Sequence, residues 1–170
     1  MEASDVADVA NALRLAGIDF WLDGGWGIEA LLGDQHRPHE DLDIVVRLGT
    51  VEQVYAALAT VGYRVSEDTL PTRAVLRDAV GRQVDLHPIT FDASGNGWQQ
   101  GAGPDGDDCE YPAHDFTTGR VGTATFGCLS AELQLAHHLG YVPRPHDRTD
   151  MGRLAERFGL DLPMPYAAQE

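Results

Sequence analysis

Asp41 and Asp43 flank a single leucine in the run His39-Glu40-Asp41-Leu42-Asp43-Ile44-Val45-Val46. Side chains alternate along a strand, so both carboxylates would project from one face while Leu42, Ile44 and Val46 enter a core on the other. Two carboxylates this close repel unless a cation sits between them, and an all-oxygen site suits Mg²⁺ or Mn²⁺. Pairs of this kind also occur on solvated strand edges, so the meaning of this one depends on its neighbours.

Upstream, Ile18-Asp19-Phe20-Trp21-Leu22 reads as a short strand. It runs through Asp23 into Gly24-Gly25-Trp26 and the helix-like Gly27-Ile28-Glu29-Ala30-Leu31-Leu32. Paired glycines between a strand and a helix let the backbone approach a ligand, and the N–H groups of a helix start can hold phosphate oxygens. A simple chain reversal is the competing reading. Downstream, Arg82-Gln83-Val84-Asp85-Leu86-His87-Pro88 alternates again, with Asp85 and His87 on one face. Beside the first pair, Asp85 could help bind a second metal ion or accept a proton from an attacking hydroxyl. Standing alone, the segment would read as an edge strand with its polar face in water.

Trp21-Leu22-Asp23-Gly24-Gly25-Trp26-Gly27-Ile28-Glu29-Ala30-Leu31-Leu32-Gly33, followed by Arg37-Pro38-His39-Glu40-Asp41-Leu42-Asp43-Ile44-Val45-Val46, resembles the small antibiotic nucleotidyltransferases. The nearest likeness is to the lincosamide nucleotidyltransferases, with the aminoglycoside 2''-adenylyltransferases as relatives. It continues through Val84-Asp85-Leu86-His87-Pro88 and through residues 128–141 with Asp147 and Asp150, and so covers most of the chain. The resemblance implies an α+β nucleotidyltransferase (DNA polymerase β-like) fold, a mixed sheet flanked by helices with further helices at the C-terminus. It implies one domain over residues 1–170, with a core to about residue 128 and a helical part from 129. The activity implied is transfer of a nucleoside monophosphate, AMP from ATP, to a hydroxyl of an antibiotic, a lincosamide before an aminoglycoside. Antitoxin-type relatives that act on a protein partner are a further alternative.

In that reading Asp41 and Asp43 hold one Mg²⁺ on the triphosphate. Asp85 helps hold a second ion, acts as general base, or does both. Gly24, Gly25 and Trp26 border the nucleotide, and Arg37 clamps a phosphate oxygen unless it is spent on a salt bridge with Glu40 or Asp34. His87, Trp98 and His138 are the candidates for contact with the acceptor, His138 because the family carries a histidine shortly before Gly-Tyr. His137 and His138 are adjacent on a helix, diverge, and make a poor metal pair.

Composition agrees with a small acceptor. The 170 residues carry a net charge of −15, and all 12 basic residues are arginine. Such a surface repels a polynucleotide backbone and attracts amine-bearing molecules. No stretch is long and apolar enough to span a membrane, and the N-terminus lacks the basic and apolar regions of a secretory signal, so a cytoplasmic enzyme is expected. Cys109 and Cys128 lack metal-site spacing and read as free thiols. A homodimer is compatible with the small size, though no residue pattern demands one.

Around the site, residues 5–16 have helical periodicity with Ser4 as N-cap, and Gly17 ends the helix. Thr50 is placed to cap a helix through residue 61, closed by Gly62. Residues 63–67, 73–77 and 82–87 read as strands, the last two joined by an Asp78-Ala79-Val80-Gly81 turn. Residues 91–114, rich in Gly and Asp, read as a long loop bordering the acceptor, with Trp98 or Tyr111 offering an apolar face. Ser130 caps a helix to about 141 with Leu133, Leu135 and Ala136 in the core. A last helix spans about 148–158, and residues 160–170 add little beyond packing.

Overall fold

The computed structural model describes residues 1–103 and 105–167. The chain begins with α1 (Ala3–Leu15), β1 (Phe20–Asp23), α2 (Gly24–Leu32), β2 (Asp41–Arg47) and α3 (Val51–Ala59). It continues through β3 (Arg64–Thr69), β4 (Arg73–Arg77), β5 (Gln83–Phe91), β6 (Gly97–Gln99), β7 (Cys109–Tyr111), β8 (Phe116–Val121) and β9 (Ala124–Leu129), and ends in α4 (Ala131–His137) and α5 (Pro145–Phe158). The main sheet runs β3-β4-β5-β2-β1-β9-β8, with β6 and β7 branching from β5. It is mixed: β2 runs parallel to β5 and β1 to β9, while the other neighbours are antiparallel. The mixed sheet flanked by helices that was expected from the sequence is the one observed.

Alternation decides what each face of the sheet does. Leu22, Leu42, Ile44, Val46, Val84 and Leu86 are fully buried in one cluster with Val6, Val9 and Leu13 of α1 and Val54 and Leu58 of α3. Each such side chain removed from water contributes roughly 1.5–3 kcal/mol, so a one-residue slip of β2 or β5 is ruled out energetically. The same register fixes Asp41 and Asp43 on the opposite face. That face is apolar farther along, where Val45 and Ile89 pack with Tyr111, Leu129 and Leu133.

Several boundaries differ from the sequence reading. The first helix is capped at Glu2, whose backbone N–H donates to the Asp5 carboxylate at 2.8 Å, so Ser4 lies inside it. Thr50 precedes α3, but its hydroxyl donates back to the Arg47 carbonyl and does not cap the helix. Residues 91–114 are not one loop. β6 pairs with both β5 and β7, because Gly97 lets Ile89 and Tyr111 close over it where any Cβ would collide. In α4, Ser130 caps as expected by accepting from Leu133 N–H, but the helix stops at His137, and Gln134 is buried while Ala136 is exposed. Leu160, Leu162 and Tyr166 pack with Ile28, Met151 and Leu154, giving the tail a structural role. Residues 168–170 lie outside the described residues.

Helix α2 carries the candidate phosphate-binding glycines, and its seat on β8 fixes where its N-terminus points. Gly119 makes that seat possible: a Cβ there would overlap the backbone of Ala30. Gly119→Ala should therefore lower stability by about 1–3 kcal/mol, since backbone cannot move aside as a flexible side chain can. Gly152→Ala on α5, where a Cβ meets open space, should be neutral or gain up to about 1 kcal/mol. Urea unfolding midpoints of the two variants check the contrast.

Candidate active site

Three adjacent strands bring carboxylates into one row. Asp23, the last residue of β1, pairs with Asp43 on β2, and Asp43 pairs with Asp85 on β5. Asp41 lies two residues along β2 on the same face. One carboxylate oxygen from each of Asp41, Asp43 and Asp85 falls within 4.8 Å of the others. Burial, with the charges of Asp43 and Asp85, lifts the Asp41 carboxyl above its ordinary value. Three carboxylate oxygens gathered this closely, one from each residue, are a donor set for a hard divalent cation.

Each remaining charge in the row has a partner. Arg73, at the start of β4, donates from Nε to Asp85 Oδ1 at 3.0 Å and from Nη2 to Oδ2 at 2.5 Å. Gln83 adds a longer bond to Oδ2 at 3.3 Å. His87, on the same face of β5, has Nε2 3.3 Å from Asp43 Oδ1 and Nδ1 3.3 Å from Gln99 Nε2. Burial would lower the His87 pKa, but its bond to Asp43 and the nearby carboxylate charges raise it. Asp23 accepts from Gly24 N–H at 2.7 Å and lies 3.7 Å from His137 Nδ1. Burial disfavours the Asp23 charge, yet His137 outweighs it and holds the carboxyl low, while Asp23 holds the imidazole of His137 high. The far side of His137 approaches Cys109 Sγ at 3.7 Å.

Two cavities meet over this row. One, of about 450 Å³, is lined by Asp23, Thr72, Arg73, His87, Gln99 and Tyr111 among others. The second, of about 770 Å³, is lined by Gly25, Arg37, Asp41, Tyr141, Arg144 and His146 among others. Gly24, Asp43 and His138 border both. The glycines have a steric reason to be there: a Cβ on Gly24 would overlap the Asp43 carboxylate, and one on Gly25 the His39 ring. Gly24 also has a φ of +53°, which favours glycine, and α2 begins at Gly24 itself rather than after a turn.

Other expected positions move. Trp26 borders no cavity; it is fully buried, with its ring 4.8 Å from that of His39, because α2 turns position 26 inward. Trp98 also leaves the site: its indole N–H donates to Asp92 at 3.2 Å, and alternation along β6 puts Gln99 in the cavity instead. Tyr111 does line the cavity, with its hydroxyl donated to Gln99 Oε1 at 2.6 Å. Arg37 faces the larger cavity but is paired with neither Glu40 nor Asp34; Asp150 on α5 accepts from its Nη2 at 2.7 Å. Asp150 also binds His36, which with His39 binds the buried Glu29, so α5 and α2 together fix the loop before β2. His138 donates from Nδ1 to the Gln134 carbonyl at 2.7 Å and stays at the junction of the cavities.

A family model described as aminoglycoside-2''-adenylyltransferase matches residues 5–154. The chain belongs to that family. It is 31% identical over 137 residues to a lincosamide resistance protein of Staphylococcus haemolyticus, covering 81% of this chain and 84% of that one. Its fold superposes on the lincomycin-bound lincosamide antibiotic adenylyltransferase LnuA with a TM-score of 0.78 and 28% identity, over 89% of this chain and 94% of the other. The antibiotic-resistance factor ANT(2'')-Ia, solved in solution and as a complex with adenylyl-2''-tobramycin, shares the fold at a TM-score of 0.73 and 18% identity. These matches cover 92% of this chain and 84% and 89% of the two ANT(2'')-Ia chains. The protein is thus a nucleotidyltransferase enzyme.

Asp23, Arg73, Gln99, Arg144 and His146 are site residues that the sequence reading did not single out, and His137, read there only as half of a poor metal pair, belongs with them. A raised carboxyl pKa means that ionisation costs native stability: the native state is favoured below the unfolded value of about 3.9 and loses stability as pH rises through the higher folded value. Without divalent metal, Asp41→Asn should therefore melt above the wild type at pH 7, with the gap closing as pH falls below about 4. Thermal unfolding in chelator at both pH values checks it, and a lower melting temperature for the variant at pH 7 would contradict mutual repulsion.

Proposed function

We propose that this enzyme transfers AMP from ATP to a hydroxyl of a lincosamide-type antibiotic with Mg²⁺ bound at Asp41 and Asp43. The observation that carries the reading is the meeting of two cavities at one carboxylate row, with Asp43 belonging to both. The larger has the volume and the cations for a nucleoside triphosphate. Arg37, Arg144 and His146 face it, and Gly24 and Gly25 open their backbone to it. The smaller offers the Tyr111 ring, the imidazoles of His87 and His138 and the carboxylates of Asp23 and Asp43, groups that can pack on and hydrogen-bond a hydroxylated sugar derivative. Phosphoryl-type transfer depends chiefly on positioning and on stabilising charge.

A divalent ion on Asp41 and Asp43 would neutralise triphosphate oxygens and the departing pyrophosphate. Asp85 takes the proton of the acceptor hydroxyl as its oxygen attacks the α-phosphorus in line, while Arg73 and Gln83 hold the carboxylate in place. His87 holds Asp43 from the acceptor side and is itself braced by Gln99. Arg37, fixed by Asp150, presents its remaining edge to the phosphates. The lincosamide preference draws support from two relatives at 31% and 28% identity, a lincosamide resistance protein and the lincomycin-bound adenylyltransferase. An aminoglycoside acceptor is favoured instead by the family whose model the chain matches. No helix among the described residues is long and apolar enough to cross a membrane, which is compatible with work in the cytoplasm.

Incubation with ATP, Mg²⁺ and a panel of lincosamides and aminoglycosides, read by mass spectrometry, should give a lincosamide product heavier by one AMP. Asp43→Ala should abolish that product while retaining a cooperative melt. Asp85→Asn should lower kcat by about 10²- to 10⁴-fold with ATP binding largely kept. An AMP-modified aminoglycoside alone would reverse the order of acceptors, and full activity in Asp43→Ala would refute the metal role.

A further inference from the structure

Asp85 differs from the other two members of its cluster in having both oxygens already engaged by a fixed cation. Its side chain is 6% exposed, and the Arg73 fork closes on it in two bonds, one oxygen to each nitrogen. Bidentate pairs of this kind are the strong charge-assisted ones and fix orientation as well as distance. The residues around the cluster divide the charge unevenly. Asp23 is answered by His137 and Asp85 by Arg73, whereas among the described residues Asp41 has no ion pair and Asp43 has only His87. The charge with the weakest answer lies on the two carboxylates of β2. A second ion placed on Asp85 would sit beside the guanidinium that holds it, cation against cation.

We propose that Arg73 is a positioning residue that competes with divalent metal for Asp85, so that the nucleotide-free site takes a single ion on Asp41 and Asp43 and Asp85 is kept free to accept the hydroxyl proton. This rests on the metal-dependent transfer reading above and removes the second ion that the sequence alone allowed at Asp85. Arg73 is suited to the task because only its head is committed. The side chain remains 43% exposed along the smaller cavity, and Glu67, its other ion-pair partner among the described residues, is 3.8 Å away at the surface. Arg73 occupies the acceptor side of the row and Arg37 the nucleotide side, so the two guanidiniums do not substitute for one another.

Titration with Mn²⁺ in the absence of nucleotide, counting bound ions by electron paramagnetic resonance, tests the proposal. The wild type should bind one ion per chain. Arg73→Gln should bind two, Arg73→Lys should stay at one because the positive charge is kept, and Asp85→Asn in the Arg73→Gln background should return the count to one. Thermal melts establish that each variant is folded. In steady state Arg73→Gln should lose at least tenfold in kcat with the KM for ATP within about threefold, a split that general loosening of the fold would not give. Two ions in the wild type, or one ion in Arg73→Gln, would overturn the role of Arg73 while leaving nucleotidyl transfer intact. No bound Mn²⁺ in the wild type would instead remove the metal-dependent reading beneath it.

Discussion

Mutual repulsion among carboxylates is the constraint around which this molecule is built. Asp23, Asp43 and Asp85 pair across β1, β2 and β5, and Asp41 adds a fourth negative charge on the same face. Such a row is unfavourable in any fold that does not supply opposing charge, and it is held here because the register of three strands is fixed from behind by fully buried Leu22, Leu42, Ile44, Val84 and Leu86. Moving any carboxylate away would drag these side chains into water. The hydrophobic face therefore maintains an electrostatic arrangement that the acids alone would relax, and the raised proton affinity of Asp41 is the residue of that conflict.

The elements that answer the charge come from distant parts of the chain. Arg73 reaches from β4, His137 from the end of α4, and the α2 N-terminus offers Gly24 N–H to Asp23. A second polar chain works at one remove: His39 binds Glu29, Glu29 binds His36, His36 binds Asp150, and Asp150 binds Arg37. Glu29 and Asp150 are buried acids with their charge held by these partners, and both carboxyls are pulled below their ordinary values despite burial. Breaking one side of such a pair typically costs about 3–5 kcal/mol, because the other charge is stranded. The loop of residues 33–40 thus enters β2 at a fixed angle although it has no regular structure, and α5 becomes part of the site without contributing a carboxylate to the row.

What could be read from the sequence follows a physical line. Period-two alternation carries information about faces, so Asp41, Asp43, Asp85 and His87 were assigned together, and the structure brings them together. Contacts made across unlinked segments leave no such trace. Arg73 sits diagonally from Asp85, two residues beyond its direct partner Val75, and only the β4–β5 register reveals it. Asp23 closes the alternation of β1 and was legible in principle, but its place before two glycines made it look like a turn residue. Trp26 and Trp98 show the opposite error. An aromatic residue near a glycine-rich stretch suggests a ligand platform, whereas helix phase in one case and strand phase in the other turn the ring away. Arg37 was legible as a cation near phosphate, but its partner Asp150 lies 113 residues later and is set by helix packing.

The uneven charge of the chain acquires a purpose at this scale. With a net charge of −15 the surface as a whole opposes an incoming triphosphate, and the field must be reversed locally for one to enter. The larger cavity gathers Arg37, Arg144 and His146 from two separate segments, but it also holds Glu40, Asp41, Asp43 and Asp147, so reversal there would need a cation on the β2 carboxylates. In the smaller, Asp23 and Asp43 are matched by Arg73, His87 and His137. Asp43, His138 and Gly24 form the boundary between the two cavities. In the proposed reaction negative charge develops on the attacking oxygen on one side of that boundary and on pyrophosphate on the other. The reacting atoms would therefore meet across Asp43, the carboxylate that both cavities share, rather than on either side of it.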